Sequence, residues 1–307
     1  MPHRVLLALV LVTGWFAGCA LIDRSSPLEE ALETLPGSVE RVAFVDREAV
    51  NERLGIEDAR SYDQNADRLP APTDLDEHFA PSAERMPFTV LDVSWEVLAW
   101  EGDRTGHVWK TDDDLDVDGV VDDLVAAGYH EERDGDVHRL AAAPRDLDPE
   151  VRSRLRDLRE LVVIPDEHLF VTGDLAPDVV ETVDDDVDSL VDTEAFEDLV
   201  DDPDDIEVTE LTRKVECPPG SPEPTPERSA VFLHRDETTM SALLVYGSDD
   251  DAEAVADLVG EVVDVDDDRL RLESEPEDPD RVGPADFPRP CSPYDARDVT
   301  SGTRSTR

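Results

Sequence analysis

Two stretches of the chain, far apart in sequence, run through the same order of elements, and this recurrence limits the fold more than any other feature. In "LDVSWEVLAWEG" (residues 91–102) Trp95, Val97 and Ala99 alternate with Glu96, Leu98 and Trp100. Period two is the signature of a strand that shows different faces to its two sides. A glycine-containing turn and "GHVWKTD" complete a hairpin. The segment "VDGVVDDLVAAGY" follows, with Val120, Val121, Leu124 and Val125 expected on one helical face and Asp118 as its cap, and "DVHRLA" then returns as a strand. Later, "SAVFLHRDETTMSALLVYG", "DAEAVADLVGEVV" and "RLRLES" repeat hairpin, helix and strand. Aligned, Val121, Leu124 and Val125 fall on Val255, Leu258 and Val259. A unit that occurs only twice is no solenoid. The expected fold class is α+β: two related hairpin-helix-strand halves with an antiparallel sheet, preceded by an N-terminal signal peptide and followed by an extended C-terminal tail.

Other elements fill the first half. Leu28, Ala31, Leu32 and Leu35 recur at helical spacing, stopped by Pro36-Gly37. "VERVAFVD" is a strand, and "DREAVNERLG" a short helix with Asp46 as its cap. Residues 57–85 are polar and dotted with proline, and no element is assigned to them. "DPEVRSRLRDLRE" starts a helix with Asp148 capping and Pro149 in its first position. "LVVIPDEHLFVTGD" reads as strand, turn, strand, with two acidic helices after it, "APDVVETVDDDVDSL" and "TEAFEDLVDD". The organisation is 1–18 signal peptide, 19–27 tether, 28–216 first half, 217–228 proline-rich linker, 229–275 second half and 276–307 tail.

The chain opens "MPHRVLLALVLVTGWFAGCALIDRSS". The apolar run is short for a bilayer span, which needs about 20 residues, and has the length of a secretory h-region. Its "FAGC" end resembles a bacterial lipobox. That resemblance implies diacylation of Cys19, removal of Met1–Gly18 and a membrane anchor on the extracytoplasmic face. Alternatives are an ordinary signal peptide with an incidental cysteine and an uncleaved short anchor. No twin-arginine pair is present, which favours the general secretion route. Once Cys19 is acylated, Cys217 and Cys291 are the two cysteines left. Outside the membrane they are expected to form one intramolecular disulfide, with free thiols or intermolecular pairing as alternatives.

Charge decides which partners are excluded. The chain has 78 acidic and 28 basic residues, a formal net charge of −50, and its lysines are Lys110 and Lys214. Such a surface repels nucleic acid and anionic headgroups, so no nucleic-acid role is expected. It suits high salt, where screening shortens to about 3 Å at 1 M; plain solubility in a genome biased to Asp, Glu and Arg codons is the alternative.

No motif carries chemistry strongly. Asp114, Asp116 and Asp118 before Gly119 match the opening of an EF-hand loop, and are weak metal candidates. The twelfth position is Val125, where a bidentate Glu is needed, and a strand precedes the loop. His130, His138 and His168 are expected in strands or turns, since no metal-binding spacing joins them. GxSxG, Walker and GxGxxG motifs are absent. Arg152, Arg154, Arg156 and Arg159 form a basic cluster, expected to pair with neighbouring carboxylates rather than to grip an anionic partner.

The stretches "LPGSVERVAFVD", "LDVSWEVLAW", "AAGY" and "VVIPDEHLFVTGD", with the lipobox, the order of elements and the late cysteines, resemble a group of uncharacterised actinobacterial envelope lipoproteins. The resemblance spans most of residues 15–291, departs at Pro218–Pro226, and implies no catalytic residue or ligand. The expectation is a non-enzymatic, membrane-anchored envelope lipoprotein, attached through diacylglyceryl on Cys19, with a structural or partner-binding role, no cofactor and a protein partner left unidentified. The alternative is an extracytoplasmic solute- or cation-binding module.

Overall fold

A computed structural model describes residues 26–65, 68–69, 87–143, 158–193, 196, 199–200, 206–215, 217, 224–235, 240–259 and 264–274. Its framework is one antiparallel sheet. In chain order the strands are β1 (Arg41–Asp46), β2 (Val93–Glu101), β3 (Arg104–Thr111), β4 (His130–Asp134), β5 (Val137–Ala141), β6 (Glu160–Ile164), β7 (Leu169–Gly173), β8 (Ile206–Thr212), β9 (Arg228–His234), β10 (Met240–Val245), β11 (Asp264–Asp266) and β12 (Arg269–Ser274). In space they run β11-β12-β10-β9-β8-β1-β2-β3-β7-β6-β5-β4. The described helices are α1 (Pro27–Glu33), α2 (Arg47–Leu54), α3 (Ala59–Asn65), α4 (Val117–Ala126), α5 (Ala176–Val183) and α6 (Asp249–Val259).

β1 and β8 lie antiparallel in mid-sheet, and β8, inside the 28–216 bounds of the first half, is the strand on which the second half's β9 pairs. Outward from β1 come β2, β3 and finally the β4–β5 hairpin; outward from β8 come β9, β10 and the β11–β12 hairpin. α4 and α6 each connect the inner hairpin to the outer one, and both pack on the same face of the sheet. This is the expected duplication, with one difference. The β6–β7 hairpin is inserted between β3 and β5, so β5 pairs with β6, whereas β12 pairs directly with β10. The inserted hairpin docks where Gly106 of β3 faces Gly173 of β7. A Cβ on Gly106 would come within 2.7 Å of Leu175, and one on Gly173, at φ +93°, within 2.5 Å of the Thr105 carbonyl oxygen.

Apolar layers cover both faces. One face is closed by α2, α3, α4 and α6 through Val50, Tyr62, Val120, Leu124 and Val255. The other is closed by α1, α5 and the segment after it, through Leu28, Leu32, Val179, Leu190 and Phe196. Central strands are therefore buried on both sides: after exposed Arg41, every residue of β1 is buried. The outer edges are protected by charge and brevity. β4 reads HEERD with all five residues exposed, and β11 is only Asp-Val-Asp, devices that discourage edge-to-edge pairing.

Several local expectations are corrected. α4 is capped by Asp116, whose carboxylate accepts from the Gly119 amide at 3.1 Å, rather than by Asp118, which lies in the first turn. Its buried stripe is Val117, Val120, Val121 and Leu124, and Val125 is 37% exposed. α3 occupies part of the polar stretch left unassigned, burying Tyr62 beyond a Ser61–Asp58 cap. β8 went unread in the sequence. The Asp148–Pro149 helix start and the tail lie outside the described residues.

Among the described residues, buried carboxylate and guanidinium groups gather at one place. α2 begins without an intervening loop where β1 ends, and Asp46 caps it by accepting from the Ala49 amide at 2.8 Å. Beneath the helix Arg47 pairs with Glu96 of β2, the two side chains being 2% and 1% exposed. Arg53 grips Glu207 of β8 with Nε 2.9 and 2.8 Å from the two carboxylate oxygens. Arg235, just past β9, pairs with Asp46. Breaking one side of a buried pair leaves an uncompensated charge and costs about 3–5 kcal/mol, whereas replacing both partners by apolar groups is often neutral. Arg47→Met should therefore lose about 3–5 kcal/mol of stability in urea unfolding. Arg47→Met with Glu96→Leu should recover most of it, and a double variant as unstable as the single would contradict the pairing.

Candidate functional site

Two β-bulges shape the sheet end beside α2. On β2 the extra residue is Ser94: Val93 pairs with Thr111 but Trp95 with Lys110. On β8 it is Glu207: Ile206 pairs with His234 but Val208 with Leu233. An extra residue reverses the alternation. Val93 and Val208 therefore join the α2-side core, while Trp95 and Ile206 join the α1-side core. The bulge sites flank the end of β1, where α2 begins.

A cleft of about 1130 Å³ opens at this end. Ile56, Leu91, Val93 and Trp95 supply its apolar lining, with Val93 and Trp95 drawn from opposite faces of the sheet by the Ser94 bulge. Ser26 and Pro27, at the start of α1, form part of its rim. The Ser94 hydroxyl donates to Asp112 at 2.7 Å. A second cleft of about 500 Å³ lies between α1 and the segment after α5. The two share Glu30, Trp95 and Lys110. Trp95 Nε1 donates to one Glu30 oxygen at 3.1 Å, and the Lys110 ammonium pairs with the other. One carboxylate thus ties α1 to β2 and β3.

Both clefts are negative. The larger contains Glu30, Asp46, Glu48, Glu52, Asp112 and Asp113 against Lys110 and Arg235. Burial pushes the Asp46 carboxyl up, opposed by the Ala49 amide and Arg235 and reinforced by Glu48 and Glu207. In the smaller cleft burial raises Glu33, with Glu29, Glu30 and Asp192 adding repulsion.

The sequence candidates fall elsewhere. Asp114, Asp116 and Asp118 do not converge: Asp116 is a helix cap and the other two are exposed. Gly119 belongs to the first turn of α4, where a Cβ would come within 2.7 Å of the Asp116 carboxylate. The space left by its missing side chain is filled by the cap. Among the described residues no group of three or more His, Cys, Asp or Glu could hold a metal ion. His130 opens the exposed edge strand, His168 ends a turn at φ +55°, and buried His138 places Nδ1 2.6 Å from Glu131. Arg159 is exposed and engaged, and Arg152, Arg154 and Arg156 lie outside the described residues, as do Cys19 and Cys291. Cys217 is half-buried and engaged rather than free. The larger cleft was missed because its residues come from separate elements; the Ser94 bulge that joins them leaves no motif.

No family model matches the chain, and no curated protein does. Among solved structures it is similar to crystal form I of TP0453, at TM-score 0.44 and 9% identity, over 79% of this chain and 90% of that one. Crystal form IV of TP0453 gives TM-score 0.42 at 9% identity, over 79% and 90%. Crystal form III gives 0.42 at 8% identity, over 79% and 91%.

The raised Glu33 carboxyl sets a pH dependence. A folded-state value above the ordinary 4.5 means that the folded chain holds this proton more tightly than the unfolded chain. The resulting stabilisation is complete below 4.5 and is lost as pH rises through the folded value. Glu33→Gln, neutral throughout, should melt above wild type at pH 7, and the gap should close well below pH 4.5. An equal gap at both pH values in thermal melts would contradict the assignment.

Proposed function

We propose that the protein is a non-enzymatic lipoprotein, held at the extracytoplasmic face of the membrane by diacylglyceryl on Cys19, whose folded body binds a protein partner of the envelope. The observation that carries this reading is the "FAGC" lipobox lying immediately before the start of the folded body. Six residues, 20–25, lie between the acylated cysteine and Ser26, seven chain steps in all, and Ser26 caps α1 and borders the larger cleft. Extended chain spans at most about 3.6 Å per residue, so the Ser26 end of that cleft stays within about 25 Å of the anchor. Two acyl chains give stable attachment where one is marginal. Among the described residues no helix is long and apolar enough to cross a membrane. A disulfide between Cys217 and Cys291 belongs to the same proposal and suits an oxidising compartment. It would close the second half into a loop, a constraint of roughly 4–5 kcal/mol in the chain-entropy model.

Growth with labelled fatty acid and non-reducing mass spectrometry of the purified chain test both parts. Label on wild type and its loss in Cys19→Ser, with release from membrane pellets or accumulation of precursor, are expected. A linked peptide pair containing Cys217 and Cys291 is expected as well. Wild type that takes up no label overturns the anchor, and quantitative alkylation without reductant overturns the disulfide.

A further inference from the structure

We draw no further inference here: the strongest candidate, the side-chain pair of the outer β4–β5 hairpin in which buried His138 places Nδ1 2.6 Å from Glu131 and leaves Nε2 without a hydrogen-bond partner among the described residues, lines neither of the two clefts and belongs to no metal-holding group among the described residues, so nothing in the structure shows what would meet that nitrogen.

Discussion

The fold depends on the corner where β1 becomes α2. β1 is the most enclosed strand of the first half, flanked by β2 and β8, and its last residue caps the helix that covers it. Because no loop separates them, α2 must lie back over the sheet at once, carrying Arg47 and Arg53 inward. The sheet meets them with Glu96 from β2 and Glu207 from β8, while Arg235 meets Asp46 from the β9 side. Three bases face three acids: Arg47 and the carboxylates of Glu96, Glu207 and Asp46 are buried, while Arg53 and Arg235 keep 13% and 34% of their side chains exposed. Such pairs add little net stability, since desolvation consumes most of the attraction. Their consequence is positional: a slip of one residue in β1, β2 or β8 would turn a carboxylate away and leave an arginine buried alone.

The same corner produces the cleft. Bulges at Ser94 and Glu207 reverse the alternation beside the end of β1. Without the Ser94 bulge, Val93 and Trp95 would share one face and could not line one opening from two cores. Without the Glu207 bulge, Ile206 and Val208 could not fill opposite cores. Glu30 then joins α1 to Trp95 and Lys110 across the cleft wall. Core packing, helix placement and the candidate binding surface are thus consequences of the same departures from regular strand geometry.

Sequence patterning revealed the parts of the fold that obey simple periods. The alternation of "LDVSWEVLAWEG" placed Trp95, Val97 and Ala99 together, and all three lie in one core. Leu28, Ala31, Leu32 and Leu35 are buried as their spacing implies, and the hairpin-helix-strand echo reappears as matched topology about β1 and β8. β8 escaped notice for a physical reason: in "IEVTELT" Val208 and Leu211 stand three apart and fill opposite cores, and the bulge puts Ile206 in the core of Leu211 rather than that of Val208, so the apolar residues form no stripe of period two. Pairing was equally hidden. Arg47 and Glu96 are 49 residues apart and Arg53 and Glu207 are 154 apart, and no local pattern encodes a contact at that separation. The "DLDVDG" motif shows the converse. Its aspartates and glycine are present, but the glycine makes room for a helix cap rather than for an ion.

If α2 is pinned to the sheet by its ion pairs, it cannot open separately from β1. Native-state hydrogen exchange followed by mass spectrometry tests this directly. Amides of Arg47–Leu54 should exchange as slowly as those of Arg41–Asp46, through the same cooperative opening, and far more slowly than those of the exposed edge strand His130–Asp134. Exchange of α2 at the rate of that edge strand, while β1 remains protected, would show that the helix is held only loosely and would contradict the account.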